Sequence, residues 1–288
     1  MQRWLAALLV ALAPAWGCRP APSCRPARVP PAPASPRIDA TYDPSPSTVV
    51  TAMLELAEVG PDDRVLDLGS GDGRLVITAA RDYGAHAVGV EIDPDLVRRS
   101  RHAIRTAGLS DRAQIVQGDL HRHPLADATV LMLFLWPSDN LRLRASILAE
   151  MPPGARVVSH DHDMDGWAAD ATREVASPEV LGRYGEPSTI HLWIVPADFA
   201  GCWTDADGHA RLTLRQGFQV LGGRLEAADR QLRFDAGRAR GASATLVARD
   251  ETGAVDVRIR AQPSGLELRA ESLGLDVTIL TPCPSITP

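Results

Sequence analysis

The sequence predicts a two-part chain: a doubly wound α/β domain on a parallel sheet, followed by a small all-β domain. Three observations predict it. Short apolar runs alternate with helix-length segments between about residues 64 and 160. The first apolar run breaks into a glycine-rich turn, Gly69-Ser70-Gly71-Asp72-Gly73. From Phe199 onward, apolar and polar residues alternate two by two, with Gly and Asp-Gly turns at short intervals.

The first residues stand apart from both domains. Met1-Gln2-Arg3 is a short basic stretch, and Trp4 to Trp16 is apolar, followed by Gly17-Cys18. The apolar run is shorter than the ~20 residues of a spanning helix, so residues 1–17 read as a signal peptide or lipoprotein signal. Small Gly17 before Cys18 fits lipoprotein processing; bulky Trp16 and Ala15 depart from it. The expectation is export into a bacterial cell envelope with a lipid on Cys18. The alternative is a short uncleaved anchor that holds the chain on the cytoplasmic face. Residues 18–40 are rich in Pro, Ala and Arg and form an extended linker.

The α/β domain is assigned to residues 41–197. Ser47–Glu58 reads as a helix, with Val49, Val50, Met53, Leu54 and Leu56 at helical spacing and Ser47 as its N-cap. Strands follow near 64–69, 86–91, 113–117, 129–135 and 155–160, with helices near 73–82, 94–107 and 139–150. Pro152-Pro153-Gly154 turns the chain into the fifth strand. Segments 173–177 and 188–195 supply closing antiparallel strands at the sheet edge. The β domain, residues 198–288, is a meander, barrel or sandwich of about seven or eight strands, including 211–215, 231–235, 255–260 and 266–269. Cys202 and Cys283 bracket it; they either pair as a disulfide, as export would allow, or remain separate buried thiols.

The chemistry concentrates at the strand ends. Glycines at 69, 71 and 73 let a ligand approach the backbone, and the helix from Arg74 points its amide donors at the turn. A phosphate-binding P-loop would need a lysine, and all 30 basic residues are arginine. The dinucleotide spacing is also absent, because Arg74 stands where its third glycine belongs. The pattern, with Asp67 two residues before the first glycine, suits a ligand that lacks a pyrophosphate and has a cationic amino-acid end. Glu91 ends the second strand 24 positions later, near the ~20-residue spacing of a ribose-binding acid. Gly118-Asp119-Leu120 ends the third strand.

The run Asp67 to Arg74 resembles motif I of class I S-adenosylmethionine-dependent methyltransferases. With Pro44, Pro46 and Gly89-Val90-Glu91, it is more closely similar to the mitochondrial protein-lysine methyltransferases that modify the ATP synthase c ring protein and adenine nucleotide translocase, and to their bacterial relatives. The resemblance covers about half the chain, Tyr42 to Trp167, and implies a Rossmann-like sheet and S-adenosylmethionine as cofactor. It implies that Asp67, Gly69, Gly71 and Gly73 surround the methionine part. Glu91 then holds the ribose and Asp119, beside Leu120, the adenine.

The acceptor side departs from many amine methyltransferases. They end the fourth strand with Asn or Asp and then Pro-Pro, whereas this chain has Phe134-Leu135-Trp136-Pro137-Ser138. Trp136 is expected to wall the mouth and contact a cationic group. The run Ser159 to Asp165 is expected to position substrate, with His160 or Asp161 relaying a proton. No metal ligand is assigned there, even with His121 and His123 nearby in sequence, because neighbouring strand residues point to opposite faces. Beyond residue 37 the chain holds 25 basic and 36 acidic residues, a balance that disfavours nucleic acid. The expected function is methyl transfer to an amine, either a protein lysine or a small molecule. The alternatives are a non-catalytic extracytoplasmic scaffold that keeps the fold, and a small-molecule O-methyltransferase. The partner of the β domain is unassigned.

Overall fold

The computed structural model describes residues 42–227, 230–250 and 253–284, which belong to one compact unit. The assignments of residues 1–17, 18–40 and lipidated Cys18 lie outside the described residues. The first domain is a seven-stranded sheet of order β3-β2-β1-β4-β5-β7-β6. The strands β1 (Arg64–Leu68), β2 (His86–Glu91), β3 (Ala113–Gln117), β4 (Val130–Leu133) and β5 (Arg156–His160) run parallel. β7 (Ser188–Ile194) inserts antiparallel between β5 and β6 (Ala171–Val175).

Both faces of the sheet are covered, as apolar parallel strands require. Along β4, Val130 and Met132 join a core with α1 (Ser47–Leu56), α2 (Arg74–Asp82) and α3 (Pro94–Thr106). Leu131 and Leu133 join the opposite core, with Leu143 and Ile147 of α4 (Pro137–Glu150). The strand order reverses between β1 and β4, which opens a crevice at the strands' C-terminal ends.

Three local expectations change. Ser47 does not cap α1; Pro46 holds that position, and the Ser47 amide and hydroxyl both donate to Glu179 at 3.2 and 2.9 Å. Glu179 belongs to a seven-residue helix, α5 (Pro178–Tyr184), too short for periodicity to reveal. Its N-terminus is nevertheless written in Ser177-Pro178, with Ser177 Oγ accepting from the Val180 amide. The sixth strand also starts two residues earlier than its alternation suggested, at Ala171.

The second domain is a closed eight-stranded antiparallel barrel: β8 (Gly201–Thr204), β9 (Ala210–Gly217), β10 (Val220–Ala227), β11 (Arg230–Arg240), β12 (Ser243–Asp250), β13 (Gly253–Gln262), β14 (Gly265–Ala270) and β15 (Leu275–Pro282). Inward apolar residues, among them Leu212, Leu225, Phe234, Val257 and Leu268, fill it. Gly223 lies so close to β9 that a Cβ there would meet the Thr213 carbonyl oxygen at 2.0 Å. The ring closes between β15 and β8 over two residue pairs, and the Cys202–Cys283 disulfide sits on that seam.

The barrel docks on the α/β domain through side chains and close backbones. Phe218 stacks on Trp167 at 5.9 Å, Arg238 pairs with Asp170 at 2.7 Å, and Gly241 abuts Gly154. Gly154 precedes β5, so this contact lies at the end of that strand away from the crevice.

Candidate active site

A cavity of about 940 Å³ occupies the crevice, near the top of the ~300–1,000 Å³ range of ligand pockets. The glycine turn forms its floor. The Gly69 and Ser70 amides both donate to the Val90 carbonyl, at 2.9 and 3.0 Å, which pins the turn to β2. Gly71 adopts a φ of +56°, and a Cβ on it would lie 2.5 Å from the Tyr42 ring. Glycine is required there both by conformation and by space.

Each acid has its own surroundings. Asp67, 7% exposed, has no hydrogen-bond partner among the described residues and lines the cavity. Burial, then the charges of Glu91 and Asp72, push its carboxyl up to about 7. Glu91 Oε2 accepts from the Gly71 amide at 2.8 Å, and its Oε1 accepts from the amides of Ile92 and Asp93. It therefore braces the turn from the end of β2 while it lines the cavity. Asp119 accepts from the His121 amide at 2.9 Å and lines the cavity with Leu120. Gly69 lines it too. Gly73 does not; it precedes α2, where a Cβ would lie 2.9 Å from Ser100.

Of the three acceptor-side residues, Trp136 and Asp161 line the cavity and His160 does not. Trp136 is 59% exposed and stacks on His162 at 6.4 Å. Asp161 holds a φ of +61°, and its Oδ1 accepts from the Thr189 amide at 2.7 Å. His160 is fully buried behind the wall, stacked 4.0 Å from Phe134. Its Nε2 lies 2.9 Å from Ser188 Oγ and 3.1 Å from Asp161 Oδ2. A carboxylate only accepts, so Nε2 carries the hydrogen and Nδ1 accepts from the Ser45 hydroxyl at 3.0 Å. Burial lowers the His160 pKa to about 4 and keeps the ring neutral.

Further lining residues had little or no sequence signal. Residues 42–45 wrap the cavity as a strap, held by the His160–Ser45 bond, by Arg74 on the Ser45 carbonyl at 2.9 Å, and by Arg183 on the Pro44 carbonyl. Pro44 and Pro46 marked this stretch without revealing its anchors. His121 Nε2 meets Asp139 Oδ1 at 2.9 Å, a pair formed between β3 and α4 segments distant in sequence. No group of three metal-ligating side chains stands together among the described residues.

The lining fits a cofactor with a cationic, amino-acid-bearing end. Asp67 offers an unpaired carboxylate, the buried Ser70 hydroxyl has no hydrogen-bond partner, and the glycine floor admits a ligand where a Cβ would clash. Residues 67–171 match the family model described as the ANTKMT methyltransferase domain. Among curated relatives, a protein-lysine N-methyltransferase of Saccharolobus islandicus is 44% identical over 127 residues, which is 44% of this chain and 79% of the relative. The lysine N-methyltransferase of the ATP synthase c ring protein from Mus musculus is 35% identical over 108 residues, covering 38% of this chain and 43% of the relative. The mouse adenine nucleotide translocase lysine N-methyltransferase is 36% identical over 132 residues, covering 46% and 57%. The chain thus spans about half the length of these two mouse proteins. A crystal structure described as an RNA methyltransferase from Salinibacter ruber with S-adenosyl-L-homocysteine shows 44% identity and a TM-score of 0.49, covering 55% of this chain and 96% of that one. With 79% of the archaeal relative matched, the chain belongs to this family of S-adenosylmethionine-dependent methyltransferases.

Proposed function

We propose that the methyl acceptor is an amine, a lysine side chain of a protein, and that the enzyme is tethered in the cell envelope. The observation that carries the acceptor is the cavity mouth. Trp136 presents an exposed aromatic face, stacked on His162, beside the carboxylate of Asp161. An aliphatic stem with a cationic tip suits an aromatic wall next to an acid. The curated relatives named above are lysine methyltransferases, which supports the same reading.

When bound, the cofactor supplies a methyl group already activated on a sulfonium. The side chains have three tasks. Asp67 faces the cationic end, and Glu91 and Asp119 line the same cavity from the ends of β2 and β3. Trp136 and the strap orient the acceptor and exclude water, and positioning of this kind accounts for much of such catalysis. An ammonium must first lose its proton, from an ordinary pKa of about 10.4. His121, oriented by Asp139, is the base the cavity offers. That pair also favours a second reading, a hydroxyl acceptor that needs a base. The envelope tether rests on the apolar run 4–16, Gly17-Cys18 as the lipid-anchor site, and the disulfide.

The test is transfer of labelled methyl groups from S-adenosylmethionine to envelope proteins, followed by amino-acid analysis. Methyl-lysine supports the amine reading. Base-labile methyl groups without methyl-lysine replace it with the second. No transfer by a protein that binds the cofactor points to the non-catalytic scaffold.

A further inference from the structure

One wall of the barrel has a chemistry that the cavity does not use. The register of β11 to β15 lines its outward side chains in rows. One row runs Arg238, Thr245, Arg258, Arg269. The next runs Arg240, Ser243, Arg260, Glu267, Ile279. All five arginines are exposed. Arg238 pairs with Asp170 and Arg269 with Glu267, whereas Arg240, Arg258 and Arg260 have no ion pair among the described residues. Exposed aliphatic side chains lie on the same wall: Ile279 and Val277 on β15, and Val247 on β12, which are 50%, 56% and 45% exposed. This basic surface stands out against its surroundings, since residues 38–197 hold 24 acidic and 14 basic residues.

We infer that this wall docks the enzyme on a bilayer rich in anionic phospholipid. Guanidinium groups match phosphate oxygens with paired donors. Aliphatic side chains among them enter the headgroup boundary, as on interfacial helices. A single-stranded nucleic acid would call for aromatic stacking platforms, and the only aromatic residue of β11–β15 is Phe234, buried inside the barrel. The inference concerns the barrel alone and does not depend on the identity of the methyl acceptor.

The experiment is co-sedimentation of the full chain with vesicles of phosphatidylcholine alone, or mixed with phosphatidylglycerol. The native protein is expected to bind the mixed vesicles more tightly, and high salt is expected to remove the preference. Arg240→Glu/Arg258→Glu/Arg260→Glu is expected to weaken binding to mixed vesicles at least about tenfold, and Gln at the same positions to weaken it less. Arg211→Glu/Arg215→Glu, on β9 and four strands from β13 around the ring, is expected to leave it unchanged. All variants keep the same N-terminal segment, so their difference reads the wall. The Gln variant serves if the Glu variant does not fold, and cofactor titration checks folding. Equal binding by native and wall variants overturns the inference. Equal losses in the β9 variant, or tighter binding to a single-stranded oligonucleotide than to mixed vesicles, overturn it as well.

Discussion

The two domains make opposite use of their strands. In the α/β domain, strand ends carry the chemistry: Asp67, Glu91 and Asp119 follow or end β1, β2 and β3 around one cavity. In the barrel, inward side chains build a filled core and no barrel residue lines that cavity. A parallel sheet gathers the ends of distant segments on one edge, whereas an antiparallel ring spends its strands on closing. Function in this molecule should therefore respond to small changes at the crevice, and stability to changes at the barrel seam.

The largest effect should come from filling the crevice floor. Gly71→Arg is expected to abolish S-adenosylmethionine binding by calorimetry while the circular dichroism spectrum persists. Retained binding would break the comparison at its strongest point. Next, Cys202→Ser/Cys283→Ser should lower barrel stability by about 3–4 kcal/mol, with cofactor affinity nearly unchanged, because the bond closes a long loop far from the cavity. Denaturation followed by barrel Trp203 and by cofactor binding would separate the two.

Asp67 sharpens the contrast through pH. Its carboxyl is raised in the fold, so the folded state keeps a proton that the unfolded state releases near pH 4, and this group's contribution falls as pH rises toward about 7. Asp67→Asn is expected to raise the apo-protein Tm at pH 8 more than at pH 5, and to weaken cofactor binding about tenfold. Binding by the native protein near pH 6 should release protons, measurable in buffers of different ionisation enthalpy. His160 titrates with the opposite sense. Its folded pKa is depressed, so its contribution is complete above about pH 6.5 and is lost as pH falls toward about 4. His160→Gln should flatten that acid limb of the Tm profile. The smallest effect is Ser47→Ala, expected to cost less than about 1 kcal/mol because its bonds to Glu179 are exposed.

The crevice was legible because its demands are local. A buried strand, a turn of three glycines and a helix start are contiguous in sequence, and Glu91 follows at a fixed spacing. His121 and Asp139 gave no such signal, since they meet only when α4 packs beside the end of β3. His160 misleads a linear reading for the same reason: it ends a strand beside lining residues, yet its ring turns behind the wall toward Ser45 and Ser188. Gly73 is part of the glycine pattern for α2 packing against Ser100, not for the cavity. In the barrel, alternation revealed strands without their partners, because closure depends on bends such as Gly223 that periodicity does not record.

The barrel also begins and ends at one place. The α-carbons of Cys202, in its first strand, and Cys283, just past its last, lie 5.3 Å apart. A unit whose two ends coincide is a cassette: it can be set into a surface loop of another protein without stretching either side. Such a graft would carry the arginine wall to a host of choice.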